Sequence, residues 1–144
     1  MIRCLGFHAE ALHDDRVWKR LQVVARIMAT RGSLATFFVY PFRAFVAGKD
    51  VLDRVKKLAA LGHEIGQHTH FYSGRAVEKP HKTNDLGEEN IRGCIQRDYA
   101  YLCRAVTPDG FTSGGWLVPD SLYATLINLG FKYDCSARVP ALIR

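Results

Sequence analysis

No stretch of this chain stays apolar for long enough to cross a bilayer, which takes about 20 residues. Secretory grammar is missing too. Met1, Ile2 and Arg3 run straight into Cys4, Leu5, Gly6 and Phe7, with no apolar stretch ending at a small-residue cleavage site, so the chain reads as cytoplasmic. The four cysteines, at positions 4, 94, 103 and 135, include no Cys-x-x-Cys pair. That scatter argues against a zinc ribbon or a disulfide framework and predicts free thiols in or near the core. Low-complexity tracts and internal repeats are absent. With 48% hydrophobic and 24% charged residues in 144, one globular domain is expected, with a real core and no room for a second.

Charge is the one unbalanced quantity. A net charge of +6 invites a nucleic-acid reading. The basic residues are nevertheless dispersed: Arg16, Lys19, Arg20, Arg26 and Arg31 in one helical stretch, and Lys49, Arg54, Lys56 and Lys57 in another. Each set is interleaved with apolar positions, and no basic-aromatic stacking motif or helix-turn-helix pattern accompanies it. These are solvated helix faces, and neither a nucleic-acid nor a membrane partner is expected.

Apolar periodicity alternates between strand and helix along the chain. Ile2 to Phe7 suits a buried strand, and Val17, Leu21, Val24 and Met28 recur at helical spacing. Asp14 and Asp15 stand where an N-cap and a first-turn acid belong, and Gly32 where a helix ends. Leu34 to Tyr40 is a β-rich run that Pro41 terminates. Val51, Leu52, Val55, Leu58 and Ala59 give a second helix, stopped at Gly62. His63 to His68 forms a third strand, followed by a polar loop to Asn84. Asn84 and Asp85 open a long helix with a stripe of Ile91, Ile95, Tyr99, Leu102 and Val106, ended by Pro108. Gly110 to Ser113 is strand four. Pro119, Asp120 and Ser121 start a helix bearing Leu122, Leu126 and Leu129, and Phe131 to Cys135 is strand five. Such alternation implies α/β architecture with parallel strands, as a barrel or an open sheet. In either, chemistry collects at the carboxyl ends of the strands.

Strand one ends in His8, Ala9 and Glu10, and strand three in His68, Thr69 and His70. Residues two apart on an extended chain face the same side, so two pairs, His8 with Glu10 and His68 with His70, share one rim. A single histidine at a strand end is more often hydrogen-bonded into the fold than a ligand. Two imidazoles on one side are different, because they are electrostatically awkward without a cation. Imidazole and carboxylate are the donors of a borderline divalent ion such as zinc. His63, at the opposite end of its strand, reads as structural. His13, Asp14 and Asp15 read as capping residues of the first loop, with a contact near the site as the alternative. His81 lies in the loop after strand three, within reach of folding back over the site. In the stretch Gly110 to Trp116, glycines let backbone approach a ligand and the indole can stack on a sugar ring; a glycine turn with Trp116 packed in the core is the alternative.

At these residues the chain resembles a known family. Ala35-Thr36-Phe37-Phe38-Val39 is similar to the ATFFV strand of polysaccharide deacetylases, the NodB-homology or carbohydrate esterase family 4 type. Leu61 to Thr69 resembles their GHEIG-x-HT segment. Phe111 to Trp116, Leu129-Gly130-Phe131 and Tyr133 to Ser136 resemble later stretches in the same order. The resemblance implies a distorted (β/α) barrel and a metal-dependent hydrolase acting on a non-peptide C–N bond, deacetylating an N-acetylated carbohydrate or another small amide. A divalent ion, with zinc expected, is normally held by one aspartate and two histidines. His68 matches the first histidine. The second normally follows four residues later, where Tyr72 stands, and His70 in the same turn is its substitute. Two adjacent aspartates, a base and a ligand, are replaced by His8 and Ala9, which leaves Glu10 as the nearest carboxylate. The arginine that orients the base is replaced by Thr112. The family's last motifs, with a histidine used as general acid, would lie beyond Arg144, so the barrel is expected to be partial, with its carboxyl-terminal part lacking and uncovered strand edges prone to self-association.

The expectation is therefore that His8, His68 and His70 hold the ion, that Glu10 is the general base, and that Tyr72, Thr112 and Trp116 contact substrate. The lost aspartates and arginine favour an alternative: an inactive carbohydrate-binding protein on the same fold.

Overall fold

A computed structural model describes residues 5–72 and 85–136 of the chain; His81 and Cys4 lie outside them. The described residues form five strands: β1 (Gly6–Ala9), β2 (Thr36–Val39), β3 (Glu64–Thr69), β4 (Gly110–Ser113) and β5 (Tyr133–Asp134). The helices among the described residues are α1 (Asp15–Thr30), α2 (Pro41–Val46), α3 (Leu52–Ala60), α4 (Glu88–Leu102) and α5 (Leu122–Leu129), with a 3-10 turn at Gly114–Trp116. None of these helices is long and apolar enough to cross a membrane.

All four strand pairings are parallel and the spatial order is sequential, β1-β2-β3-β4-β5. A doubly wound sheet reverses its order at a switch point, whereas this one does not. With right-handed crossovers, a sequential order places every helix on one face and curves the strands into an arc of the (β/α)-barrel kind. The α/β fold expected from the sequence is present, and β1 and β5 are its edges among the described residues.

Local chemistry explains most element ends. Asp14 caps α1, its carboxylate accepting from the backbone N–H of Arg16 (2.7 Å) and Val17 (3.2 Å). Gly32, at φ 67°, closes the helix where an L side chain would be strained. Pro41 ends β2 as expected but also opens α2, a helix that the apolar pattern does not reveal. Its fixed φ suits the first helical position, where an N–H is not needed. Helix α4 starts at Glu88, later than the expected opening at Asn84 and Asp85. The Asp85 carboxylate accepts from Gly87 N–H at 3.0 Å, holding a turn before the helix begins. It also ends at Leu102, short of Pro108.

Strand alternation divides the side chains between two faces. Phe37 and Val39 of β2 and Ile65 of β3 pack under Trp18 and Ala25 of α1 and Val55 and Leu58 of α3. Phe111 of β4 meets Ile91 and Ile95 of α4 and Leu122 and Leu126 of α5. The other face carries Phe38, and Gly66 beside it has no room for a side chain: a Cβ there would stand 2.5 Å from the Phe38 ring. Among the described residues the thiols follow the core expectation only at Cys94, which is buried; Cys103 and Cys135 are exposed, because each sits just past the end of an element.

His63 has the structural role expected of it. The Ala35 N–H donates to its Nδ1 at 3.2 Å, so the proton of the neutral ring is on Nε2, which donates to the Ala25 carbonyl at 2.9 Å. The ring is buried, edge-on to Phe37, and ties α1 to the sheet. Replacing His63 by Ala leaves the buried Ala35 N–H without its acceptor, and is expected to cost about 1–3 kcal/mol in urea denaturation. Metal content measured on the same protein should not change.

Candidate metal centre

The rim above the carboxyl ends of the strands is built by period-two geometry. In β1, Phe7 and Ala9 turn to the helices, and the Phe7 ring stacks on Phe37 at 5.1 Å. His8 therefore takes the opposite face, with Glu10 two residues on. In β3, Ile65, Gln67 and Thr69 face the helices, which leaves Gly66 and His68 facing His8. His68 is paired in register with Thr112, and His70 follows just past the strand.

Three donor groups converge there. His68 Nε2 stands 3.1 Å from His70 Nε2 and 3.2 Å from Glu10 Oε1, and His70 Nε2 is 3.7 Å from Glu10 Oε2. Donors about 2.0–2.1 Å from a tetrahedral zinc ion stand about 3.3 Å apart, and the two imidazole nitrogens and the two Glu10 oxygens are spaced near that value. A nitrogen of His8 also approaches: its donor and those of Glu10 and His68 all lie within 4.8 Å of one another.

The tautomer of His68 tests the fit to a cation. Its Nδ1 lies 3.0 Å from the Thr112 carbonyl oxygen, which can only accept, so Nδ1 carries a hydrogen. In a neutral ring Nε2 then bears a lone pair, and it faces a carboxylate. A lone pair against a carboxylate is repulsive unless a proton or a metal ion lies between them. The backbone carbonyl on the far nitrogen is the outer support that metal-bound histidines commonly have. The donor set fits a divalent ion.

Electrostatics agree with that convergence. With a proton on His68 Nε2 in place of an ion, the hydrogen bond it makes holds the Glu10 carboxyl down at about 2, helped by the neighbouring imidazoles and opposed by burial. His8 is pushed below the usual imidazole range, first by burial and then by His68.

The expected substrate residues border this triangle. Tyr72 stacks on His70 with ring centres 5.1 Å apart. Thr112 supplies its carbonyl to His68, while its Oγ1 is buried with no hydrogen-bond partner among the described residues. Trp116 is not in the core: it is 40% exposed, with its ring centre 5.7 Å from that of His8. It has φ 60°, following Gly115 at 69°, a left-handed pair that no other non-glycine residue described here joins. The capping reading of the first loop holds for Asp14, and Asp15 pairs with Arg54.

Two neighbours escape sequence reading. Tyr40 sets its ring against His70 at 4.9 Å and His68 at 6.0 Å; as the last residue of an apolar run, it looks like core. Gly114 lies directly under the His70 ring, and any Cβ there would collide with it. The sequence marks that glycine as a close approach of backbone, but not to which group.

No protein-family model and no curated protein sequence matches the chain. Solved structures do. BA3943 from Bacillus anthracis, described as a CE4 family pseudoenzyme, matches at TM-score 0.67 and 15% identity over 90% of this chain and 41% of its own. The family 4 carbohydrate esterase from Streptomyces lividans, solved in complex with acetate, matches at TM-score 0.61 and 14% identity over 90% of this chain and 59% of its own. IcaB from Ammonifex degensii matches at TM-score 0.61 and 19% identity over 88% and 55%. The chain spans about two-fifths to three-fifths of these structures. At such identities the likeness is one of fold, and it is the polysaccharide-deacetylase fold that the sequence motifs resemble.

Because Glu10 titrates lower in the folded chain than its ordinary 4.5, its contact with His68 stabilises the fold above that pH and is lost as pH falls through about 2. In chelator, thermal melts of the parent should therefore lose more stability over this window than melts of Glu10→Gln. Curves that run parallel would show that Glu10 makes no such contact.

Proposed function

We propose that this chain carries the metal centre of a hydrolase of non-peptide C–N bonds, acting on an N-acetylated carbohydrate. The observation that carries the reading is the triangle of Glu10, His68 and His70 donors at zinc-face spacing, on the rim where this fold concentrates its chemistry. A divalent ion held there would polarise an acyl oxygen and acidify water.

The distances favour a division of roles different from the one suggested by sequence order. Glu10 reaches both His68 and His70, which makes its carboxylate a third ligand rather than the base. His8, whose donor lies within 4.8 Å of those of Glu10 and His68, then remains for the base, with a lowered proton affinity that leaves it neutral and able to accept a proton at neutral pH. Trp116, half-exposed beside His8, offers its face to a sugar ring, and Tyr72 and Thr112 border the same opening.

Protein prepared without chelator should hold about one divalent ion per chain, and His68→Ala with His70→Ala should abolish it. Glu10→Gln should lose most of the ion, whereas His8→Ala should keep it and lose release of acetate from N-acetylated sugar oligomers. If Glu10→Gln instead keeps the ion and loses turnover while His8→Ala loses the ion, the roles revert to Glu10 as base and His8 as ligand. Equal metal content in all four proteins would end the site assignment.

A second reading, an inactive carbohydrate-binding protein, is favoured by His8, Ala9 and Thr112 at the positions where the resemblance implies two aspartates and an arginine. It predicts sugar binding with no acetate release from any substrate.

A further inference from the structure

Behind β3, on the face away from the metal triangle, lies a buried polar chain that the apolar core does not need. Gln67 Nε2 donates to the Ile95 carbonyl and to Thr69 Oγ1, both at 3.0 Å. Thr69 Oγ1 donates onward to Asp98 Oδ2 at 2.9 Å. Asp98 is paired through Oδ1 with Arg97 at 2.9 Å, and the guanidinium rests over Phe42, 3.6 Å from the ring centre. Gln67, Thr69 and Asp98 are all buried.

A carboxylate inside the core is a poor way to gain stability, because desolvation opposes it and apolar residues in place of a whole buried ion pair often do as well or better. Its location is informative. Thr69 separates His68 from His70, and the ladders stop there: pairing to β2 ends at Gln67 and pairing to β4 ends at Thr69. His70 thus stands beyond the last paired residue of its strand. The side-chain anchors on either side of it are Thr69, tied to Asp98 of α4, and Phe71, buried in the second core cluster. A rotation of the Thr69 peptide would swing both imidazoles, since they project from the two residues flanking it.

We infer that Asp98, acting through the Thr69 hydroxyl, is a positioning residue that sets the angle between the His68 and His70 imidazoles and so the affinity and geometry of the metal centre. This rests on the reading of that rim as a metal site. Losing outer supports of metal ligands typically weakens binding by about 10–100-fold, and about tenfold is expected here because the anchor acts through the backbone.

The test uses the full chain titrated with Zn²⁺ and with Co²⁺, whose visible absorption reports ligand geometry. Thr69→Val, which keeps the shape and removes the hydroxyl, should bind Zn²⁺ about tenfold more weakly and alter the Co²⁺ spectrum. Thr69→Ser should restore both. Asp98→Leu should reproduce the Thr69→Val loss, and the double variant should add little to either, as expected for two residues sharing one contact. Melting in chelator provides the control: Asp98→Leu, which leaves Arg97 without its carboxylate, is expected to melt lower, whereas Thr69→Val, which loses one hydroxyl, should stay folded at the titration temperature while binding metal less well. Parent-like affinity and spectrum in Thr69→Val, or failure of Thr69→Ser to rescue, overturns the inference and leaves the metal centre standing. A parent chain that binds neither ion removes the metal centre, and this inference with it.

Discussion

The imidazoles of His68 and His70 depend on the two-residue alternation of β3, the middle strand of the five. Ile65, Gln67 and Thr69 are held against α3 and α4, and that forces Gly66 and His68 to the opposite face. A shift by one residue would bury the imidazole among the helices and turn Ile65 to the rim. Register is fixed from both sides, by parallel pairing to β2 and to β4. Core packing and site geometry are therefore one constraint, because the strand that carries His68 is also the strand most completely surrounded.

Two histidines five residues apart show how environment separates structure from chemistry. His63 has a partner of the right kind at each nitrogen: an amide that donates and a carbonyl that accepts. Nothing is left for it to bind. His68 has its Nδ1 satisfied by a carbonyl while its Nε2 faces only other acceptors and another imidazole. Burial is nearly the same for both, at 4% and 1% exposed, so burial does not distinguish them. The chemistry of the partners does.

Much of this was legible in the sequence. Period-two reasoning predicted the same-facing pairs, and the strand-helix alternation predicted a parallel sheet whose sequential order the structure supplies. Other features were hidden for physical reasons. Helix α2 is too short for a periodicity to show, and Pro41 looks like an end before it looks like a beginning. Tyr40 is apolar enough to pass for core. Asp98 left a signal that goes unread when only apolar positions are counted: with Ile91, Ile95 and Leu102 it falls on the buried stripe of α4, where a charge is costly without a partner. Its partner, Thr69, is 29 residues away in sequence, and no local pattern connects them.

The same reasoning bears on Trp116. Two consecutive left-handed residues, Gly115 and Trp116, follow immediately after the glycine over which His70 packs. The first costs nothing and the second does, since an indole-bearing residue is unfavourable at positive φ by about 1–3 kcal/mol. Relaxing Trp116 to an ordinary conformation would redirect the chain that follows it and move the indole. The strained turn thus presents the indole beside His8 and leaves it partly open to solvent, next to the Gly114 that lies beneath His70. A residue selected only to fill space would not need that conformation. In Trp116 one pair of torsions both turns the chain away from β4 and sets where the indole stands against His8.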